Sequence, residues 1–449
     1  MRALRLTRNR KLDGKGSLPM KPKPAKLPVS PSARVRSRPQ ITKAYRHVQA
    51  AGLASTSLDI REKTKAFNAN AISNLERIQK QLRESKFRFA PPRPVLVSKG
   101  PGKGKRGILI APIESRIVQR AILDELIELP TNREKLNSGF NFGGVAGPEF
   151  GVKPAVLKAS NLSLSHKYFL RSDVQKFFDQ VPRSQAVAHA LAGSIDGDFN
   201  QLVRDSVEVD EKAFSNVSEE DRRIFLSESL GLAQGSSISA MLCNLYLDSF
   251  DRALNSRGVE CVRYVDDFII FGGSKASVRK AFAASVKHLE DLGLKAYDPK
   301  DNPDKAEEGP TTSKIRFLGC EIHGGIIRPT DENRRLMLKN LDDSLARELS
   351  SLRKNSSNRS SVKSIANAAK ACTAIVEGWG NSFAFCNDTR LFHSIDIELE
   401  KRVENFLVNA RKILSSQHIR LRQKAMGFHF LEDCSGLEGK LTKSNVSRQ

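Results

Sequence analysis

The spacing of apolar residues changes along the chain, and each kind of spacing predicts a different element. Between about residues 60 and 90, Ala71, Leu75, Ile78 and Leu82 recur at helical spacing. Short apolar runs separated by polar or glycine-rich turns follow, and they predict strands. These runs are 93–97, 107–110, KYFLRSDV, the two runs that flank the acidic pair in CVRYVDDFIIFG, and KIRFLGCEI.

Helical spacing returns after the strands and dominates the chain from about residue 331. Val278, Phe282, Val286 and Leu289 predict one amphipathic helix between the last two strands. A longer stripe is formed by Leu338, Leu341, Leu345, Leu349 and Leu352, and a second one by Val403, Leu407, Ala410 and Leu414. The chain from about residue 331 onwards is therefore predicted to be all helical.

The net charge of the chain indicates what kind of molecule it binds. The 449 residues include 74 Lys and Arg against 50 Asp and Glu, a formal net charge of +24. Such an excess favours a polyanionic partner, with nucleic acid ahead of an acidic membrane surface. No apolar run approaches the roughly 18 residues of a membrane helix. The six cysteines show no CxxC pair, which predicts reduced thiols in the cytoplasm rather than a disulfide framework or a zinc site.

Residues 1–40 carry twelve of the basic residues and a single acid, Asp13. This segment is rich in Pro and Ser and poor in aromatic residues, which predicts a flexible basic arm. Two interpretations stay open for it: a solvated tail, or a clamp that holds RNA without regard to sequence.

The most informative stretch is YVDD, Tyr264 to Asp267. Two adjacent aspartates between apolar runs are costly unless a positive charge lies on them, and a divalent cation is the obvious counterion. Asp173 follows another apolar run and is the best candidate for a further carboxylate in such a site. A solvated turn would explain a lone acidic pair, but the apolar residues on both sides argue against it here.

Four motifs, in their order along the chain, resemble those of reverse transcriptases of the bacterial retroelement type. FLRSDVQKFFDQVP is similar to the first metal-binding motif of that family, and GLAQGSSISAMLCNLYL to its template-and-nucleotide motif, with Ala233 in place of the usual Pro. RYVDDFIIF matches the Tyr-x-Asp-Asp motif, and KIRFLGCEI the primer-grip Phe-Leu-Gly. SGFNFGGVAGPEFG keeps the Ser-Gly-Phe of a further intron-type motif but lacks its Arg-Pro.

The resemblance implies an α+β fold of the right-hand polymerase type, with fingers, a palm built on a small antiparallel sheet, and a helical thumb. The expected division is a basic flexible arm over 1–60, fingers over 61–170, palm over 171–328, thumb over 329–415 and a tail over 416–449. A fingers insertion is expected around 185–228.

The resemblance also assigns roles to residues of this chain. Asp173 and Asp266 would ligate two Mg²⁺ ions, or Mn²⁺ as a substitute, with Asp267 in support and the carbonyl of Val174 as a further ligand. The residues expected at the dNTP are Lys105, Arg106, Phe178, Gln234 and Gly235, of which Phe178 would exclude a 2′-hydroxyl. The residues expected at template or primer are Arg116, Tyr264, Leu318 and Gly319.

Other positions carry two interpretations each. Asn244 either contacts the nucleotide or lies on a helix surface, and Lys305 is a candidate proton donor to pyrophosphate. Arg334, Arg335 and Lys339 either touch the backbone of a duplex or form a solvated helix face. A plain core residue is the alternative for Phe178, because adjacent phenylalanines are usually core.

The function implied is RNA-directed DNA synthesis from dNTPs on an RNA template, with DNA as product, no membrane, and self-association left open. A stand-alone bacterial enzyme that copies a dedicated noncoding RNA in antiphage defence is expected first, in the cytoplasm. The alternatives are an intron-encoded maturase without an endonuclease domain, a non-catalytic RNA-binding scaffold, and a polymerase that incorporates NTPs.

Overall fold

The computed structural model describes residues 29–98, 100, 104–145, 147–227, 229–354 and 365–428. Most of these residues are helical, in α1 (Pro31–Val35), α2 (Arg38–Leu53), α3 (Leu58–Ala69), α4 (Ala71–Arg83), α5 (Ile113–Glu128), α6 (Pro130–Leu136), α7 (Val152–Ser165), α8 (Phe177–Gln180), α9 (Arg183–Ala190), α10 (Gly197–Val207), α11 (Glu219–Arg222), α12 (Ser237–Tyr246), α13 (Asp248–Asn255), α14 (Lys275–Asp291), α15 (Asp331–Lys354), α16 (Ile365–Phe383), α17 (Thr389–Ser415) and α18 (Ile419–Ala425). None of these helices is both long and apolar enough to cross a lipid bilayer.

The strands form three antiparallel sheets. They are β1 (Arg93–Ser98), β2 (Lys105–Ile110), β3 (Tyr168–Asp173), β4 (Glu260–Tyr264), β5 (Asp267–Gly272), β6 (Glu307–Pro310), β7 (Ile315–Phe317), β8 (Cys320–His323) and β9 (Ile326–Pro329). β1 and β2 make a hairpin, the central sheet has the order β4-β5-β3-β6, and β7, β8 and β9 form a small third sheet.

The central sheet is buried on both faces, which explains the uninterrupted apolar run after the acidic pair. Phe268 and Ile270 of β5 lie in the large core with α12, α13 and α14, whereas Ile269 and Phe271 pack with α7 and the third sheet. A strand covered on both sides reads as a continuous apolar stretch. The predicted mixture of helices and a small antiparallel sheet is confirmed.

The expectation of a flexible arm through residue 60 is wrong for the part that the structure describes. Ser30 and Ser37 cap α1 and α2, and a proline enters the first turn of each helix. Ile41, Ala44, Tyr45 and Val48 then form a buried stripe at helical spacing in the large core, to which α5 also belongs. Residues 1–28 lie outside the described residues.

The helical stripes are confirmed in part. Leu338, Leu341, Leu345 and Leu352 of α15 are buried as predicted, and Val278 and Leu289 are buried in α14. The stripe on α17 is partly wrong, because Val403 and Leu407 are exposed while Ile395, Phe406, Ala410 and Leu414 are buried. The segment expected to be a tail contains α18, and its residues 429–449 lie outside the described part of the chain.

Part of the expected insertion packs behind the β1–β2 hairpin, whereas its helices α9 and α10 contribute to the large core. Its elements are α9, α10, a 3₁₀-helix at Glu211–Phe214 and α11. Phe214, Phe225 and Leu226 form a separate small core with Leu109 of β2. The hairpin is therefore supported on one face by the insertion.

One asparagine joins the third sheet to the long helices. The N–H of Asn387, just before α17, donates to the carbonyl of Ile327 at 3.0 Å, and its Oδ1 accepts from the N–H of Ile327 at 2.7 Å. Its Nδ2 donates to the carbonyl of Gly325 at 3.0 Å. The strand β9 is thus fastened to the α16–α17 connection.

Gly52→Ala is expected to destabilise the protein, although alanine normally favours a helix over glycine by about 1 kcal/mol. A Cβ at position 52 would lie 2.3 Å from Oγ1 of Thr64 on α3, so α2 and α3 would have to separate. We expect the free energy of unfolding to fall by about 1–3 kcal/mol, measured by urea denaturation.

Gly378→Ala in α16 is the matched control, because a Cβ there meets nothing within 4 Å. It should leave stability unchanged or raise it slightly. Thr64→Ala should restore most of the stability that Gly52→Ala removes. A Gly52→Ala protein as stable as the wild type would contradict the close packing of α2 on α3.

Candidate active site

The three aspartates that the sequence singled out lie together at one end of the central sheet. Asp173 ends β3 and Asp267 begins β5, and the antiparallel pairing sets them opposite each other. Asp266 lies in the two-residue turn between β4 and β5. Its carbonyl oxygen accepts a 3.1 Å hydrogen bond from the N–H of Val174. Pairing of the strands therefore assembles the acidic cluster.

The pKa values of all three carboxyls are raised. Burial, followed by the charges of Asp266 and Asp267, raises the pKa of Asp173 to about 7. Burial and the charge of Asp266 raise the pKa of Asp267 to about 6, and burial raises the pKa of Asp266. The positive charge of Lys305 lowers the pKa values of Asp173 and Asp267 only in part. The cluster therefore lacks positive charge.

The donor chemistry of the cluster fits a divalent cation. Within the described residues, no group of three or more His, Cys, Asp or Glu side chains is arranged to hold a metal ion as it stands. Oδ1 of Asp173 is nevertheless buried without a hydrogen-bond partner. Mg²⁺ prefers one or two carboxylates and keeps its other positions for water and phosphate oxygens. Asp173, Asp266 and Asp267 are the residues that would hold it, with the carbonyl of Val174 predicted as a further donor.

The turn that carries Asp266 is strained. Val265 has φ of 61°, a left-handed conformation that two-residue hairpin turns require and that Gly, Asn and Asp normally supply. A β-branched residue there costs about 1–3 kcal/mol, and such strain persists only where surrounding contacts hold it. Other groups must therefore stabilise this turn.

The structure separates the two cations predicted at the triphosphate. Adjacent residues of a strand point to opposite faces. Lys105 pairs with Asp221 of α11 at 3.1 Å, on the side of the insertion. Arg106 therefore points away from the insertion, and its positive charge lowers the pKa of Asp266. The geometry therefore favours Arg106 over Lys105 as a ligand of phosphate.

Phe178, Gln234 and Gly235 meet beside the β1–β2 hairpin. The N–H of Leu232 donates to the carbonyl of Phe178 at 2.8 Å, and the carbonyl of Gln234 accepts from the N–H of Leu109 at 3.1 Å. Nε2 of Gln234 donates to Oδ1 of Asp179 at 2.9 Å. Hydrogen bonds thus connect the segment of Gln234 and Gly235 both to β2 and to the helix that carries Phe178.

The alternative interpretation of Phe178, as a plain core residue, fits its neighbour Phe177 better. Phe177 is fully buried, whereas Phe178 is half-buried, and their ring centroids are 5.9 Å apart. Phe177 therefore fills the core and leaves one side of Phe178 accessible. This arrangement is compatible with the predicted contact between Phe178 and a sugar.

The remaining candidates lie on other elements. Arg116 is half-buried in α5, and burial lowers its pKa. Tyr264 stands opposite Asp267 across β4 and β5. Leu318 and Gly319 form the tight turn between β7 and β8, and Asn333 donates to the carbonyl of Gly319 at 2.9 Å. Their roles at template and primer stay predictions.

The roles of the three basic residues of the predicted thumb, Arg334, Arg335 and Lys339, also stay predictions. Arg334 pairs with Asp331 at 3.7 Å, and Nε of Arg335 donates to the carbonyl of Asp331 at 3.3 Å. Lys339 lies exposed on the same helix, α15. Both the duplex contact and the solvated face agree with these positions.

Sequence reasoning missed Arg171. It lies two residues before Asp173 and therefore on the same face of β3. Its charge lowers the pKa values of Asp173 and Asp267, and its Nε approaches Glu307 at 4.0 Å. The alternation of side chains along the predicted strand was the signal that would have placed it beside the cluster.

Residues 97–322 match the family described as reverse transcriptase (RNA-dependent DNA polymerase). The match spans half of the chain and includes the acidic cluster, the hairpin strand β2 and the surface around Gln234. The chain belongs to the reverse transcriptase family. Its fold is the right-hand polymerase fold, as the motifs implied.

Two curated relatives are proteins of introns. The chain is 24% identical over 188 residues to a COX1/OXI3 intron 2 protein of Saccharomyces cerevisiae, across 41% of this chain. It is 23% identical over 257 residues to a 91 kDa protein in cob intron of Schizosaccharomyces pombe, across 57% of this chain. The alignments span only 20% and 28% of these relatives.

Two solved structures are similar at low identity. Apo telomerase from Candida tropicalis aligns with a TM-score of 0.41 and 14% identity, over 81% of this chain and 68% of that chain. A partial Cas6-RT-Cas1–Cas2 complex aligns with a TM-score of 0.32 and 20% identity, over 59% of this chain and 42% of that chain.

Asp173→Asn is expected to stabilise the metal-free protein, because it removes a buried charge that Asp266 and Asp267 repel. The pKa of Asp173 is about 7 in the folded state, above its unfolded value, so protonation stabilises the fold at low pH. That stabilisation is lost as pH rises through about 7. At pH 8 we expect the variant to unfold with about 1–2 kcal/mol more free energy than the wild type.

Thermal unfolding in EDTA and in Mg²⁺ measures this effect. Mg²⁺ should raise Tm of the wild type and leave the Asp173→Asn protein nearly unchanged. Asp205→Asn is the control, because that exposed carboxylate bonds only Gln201 in the described structure, at 2.8 Å. An Asp173→Asn protein less stable than the wild type in EDTA would contradict repulsion in the cluster.

Proposed function

We propose that this protein is an RNA-directed DNA polymerase that extends a primer with dNTPs on an RNA template. The observation that carries the proposal is the pairing of Asp173 with Asp267 beside Asp266 at the end of the central sheet. A protein that only binds RNA gains nothing from three mutually repelling acids. Metal-assisted phosphoryl transfer requires such a cluster, and membership of the reverse transcriptase family supports this interpretation.

The acidic cluster supplies the reacting centre. Two Mg²⁺ ions held by Asp173 and Asp266, with Asp267 in support, would favour the ionised 3′-hydroxyl and neutralise charge on the leaving pyrophosphate. Arg106 binds phosphate oxygens of the dNTP, for which a planar guanidinium is suited. Lys305, whose charge acts on the cluster, donates a proton to the pyrophosphate.

The surface around Gln234 selects the nucleotide. The accessible side of Phe178 packs under the sugar and leaves no room for a 2′-hydroxyl, which favours dNTPs over NTPs. Gln234 and Gly235 lie against the nascent base pair, and the hydrogen bond from Gln234 to Asp179 fixes the direction of the amide. The hydrogen bonds that join Gln234 to Leu109 of β2 and to Asp179, next to Phe178, support these roles, which the family resemblance implies.

The net charge of +24 supports an RNA template and a DNA product as partners. We place the template in one of two contexts. The names of the two curated relatives favour an intron-encoded enzyme that copies or helps to splice intron RNA. The stand-alone defence enzyme with a dedicated noncoding RNA is the other context. Sequencing the RNA that copurifies with the protein distinguishes them, because only the intron context predicts intron sequence.

Two further expectations stay predictions of the sequence. A cytoplasmic location is tested by fractionating the source cells, and recovery of the protein with an organelle would contradict it. Self-association is tested by sedimentation of the purified protein. Neither outcome changes the chemistry assigned to the acidic cluster.

Asp266→Ala combined with Asp267→Ala is expected to abolish dNTP incorporation, because it removes two of the three carboxylates that would hold metal. We expect a loss of at least about a thousandfold. The assay supplies purified protein with a primed RNA template, Mg²⁺ and labelled dNTPs, and NTPs in a parallel reaction.

Asp342→Ala combined with Asp343→Ala is the matched control, because it removes another adjacent acidic pair, on α15. Its incorporation rate should equal that of the wild type. If the Asp266/Asp267 variant incorporates as fast as the control, the non-catalytic scaffold is the better interpretation. Incorporation of NTPs alone by the wild type would favour an RNA-synthesising enzyme.

Arg106→Ala is expected to raise KM for dNTPs by about tenfold, because one charge-assisted hydrogen bond to phosphate contributes about 1.5–3 kcal/mol. Lys105→Ala should change KM less than about twofold, since Lys105 faces Asp221 on the other side of the strand. Steady-state kinetics on a fixed template measures both values. Equal effects of the two substitutions would contradict the separation of these cations.

A further inference from the structure

A buried arginine precedes the acidic turn. Arg263 of β4 has no exposed surface. Its Nε and Nη2 donate to the two carboxylate oxygens of Asp251 on α13, at 2.7 and 2.6 Å. Its Nη1 donates to the carbonyl of Val265 at 2.8 Å and to Oδ1 of Asn244 on α12 at 3.2 Å. One guanidinium therefore joins the turn to two helices.

The glycine-rich segment 138–151 closes this network from the other side. Its Phe140 accepts a 2.9 Å hydrogen bond from the N–H of Arg263, and its Phe142 donates to the carbonyl of Arg263 at 2.8 Å. Nδ2 of Asn244 donates to the carbonyl of Gly143 at 2.6 Å. Asn244 is buried inside this network, so the helix-surface interpretation is wrong.

Gly143 touches the turn itself. A Cβ at this position would lie 2.7 Å from the backbone nitrogen of Val265 and 2.7 Å from its Cγ2. Val265 is thus bonded at its carbonyl by Arg263, and Gly143 leaves no room for a side chain between its own backbone and Val265. Val265 is the residue with the left-handed conformation, and its conformation sets the direction in which the chain enters Asp266.

We propose that Arg263 is a positioning residue, which holds the strained turn so that Asp266 and Asp267 face Asp173, with Asp251 and Gly143 fixing its geometry. The inference rests on the proposed function, because positioning matters only if the cluster is the reacting centre. Arg263 acts through the carbonyl of Val265 and is not itself a catalytic residue.

A purely structural role makes a different prediction. A buried ion pair contributes little net stability, and apolar side chains of similar volume replace such pairs without loss of the fold. No apolar side chain, however, donates a hydrogen bond to the carbonyl of Val265. Replacing both partners therefore separates support of the fold from support of the turn.

Arg263→Met combined with Asp251→Leu is the first test. We expect Tm within a few degrees of the wild type, about tenfold or greater loss of kcat for dNTP incorporation, and a higher Mg²⁺ concentration for half-maximal activity. Hydrogen exchange of the peptide that contains residues 264–267 should become about tenfold faster in the metal-free protein. Wild-type kcat together with wild-type exchange in this peptide would overturn the proposal.

Gly143→Ala tests the same turn without touching the ion pair, and it decides the question if the double variant does not fold. Gly273→Ala is its matched control, at the other end of β5, where a Cβ meets nothing within 4 Å. Gly143→Ala should lower kcat and speed exchange at 264–267, and Gly273→Ala should do neither. Equal behaviour of the two alanine variants would overturn the proposal.

Failure of the proposed function and failure of the role of Arg263 give different results in these experiments. A wild-type protein that incorporates no nucleotide contradicts the proposed function, whereas exchange at residues 264–267 still tests the support of the turn. A wild-type polymerase whose variants polymerise and exchange like the wild type contradicts only the role of Arg263.

Discussion

Electrostatic repulsion within the acidic cluster is the constraint on which the rest of the structure depends. Asp173 and Asp267 face each other across two paired strands, and burial together with the charges of Asp266 and Asp267 raises the pKa of Asp173. Two hydrogen bonds to Tyr297 hold the end of β3 against this repulsion. The side-chain hydroxyl of Ser172 donates to the carbonyl of Tyr297 at 2.6 Å, and the N–H of Tyr297 donates to the carbonyl of Asp173 at 3.2 Å. The fold thus stabilises an arrangement that these side chains alone would avoid.

The parts of the fold that follow local rules were predictable. Strands with apolar runs around the acids, the helix α14 and the stripe on α15 all follow from spacing along one element. The helices α1 and α2 were missed because the basic and proline-rich composition outweighed the serine caps and the stripe from Ile41 to Val48. On α17 two of the four predicted positions were wrong, since several apolar residues compete along this helix and packing against α15 decides which of them are buried.

The candidate site divides in the same way. Motif order identified the three aspartates, and pairing of β3 with β5 brings them together. Sequence cannot tell Lys105 from Arg106, because the difference depends on Asp221, which lies 116 positions away in the chain. Arg263 was overlooked for a similar reason, because its partners Asp251 and Asn244 lie 12 and 19 positions before it and the glycine-rich segment lies further away still.

The hydrogen bonds of Asn387 have a mechanical consequence. They fasten β9 to the start of α17, while the N–H of Thr330, just before α15, donates to the carbonyl of Gly319 at 3.0 Å. The third sheet is therefore anchored to two of the long helices at opposite ends. The third sheet also packs on Ile269 and Phe271 of the central sheet. A displacement of these helices would therefore be transmitted through the turn of Leu318 and Gly319 to the sheet that carries the acidic cluster.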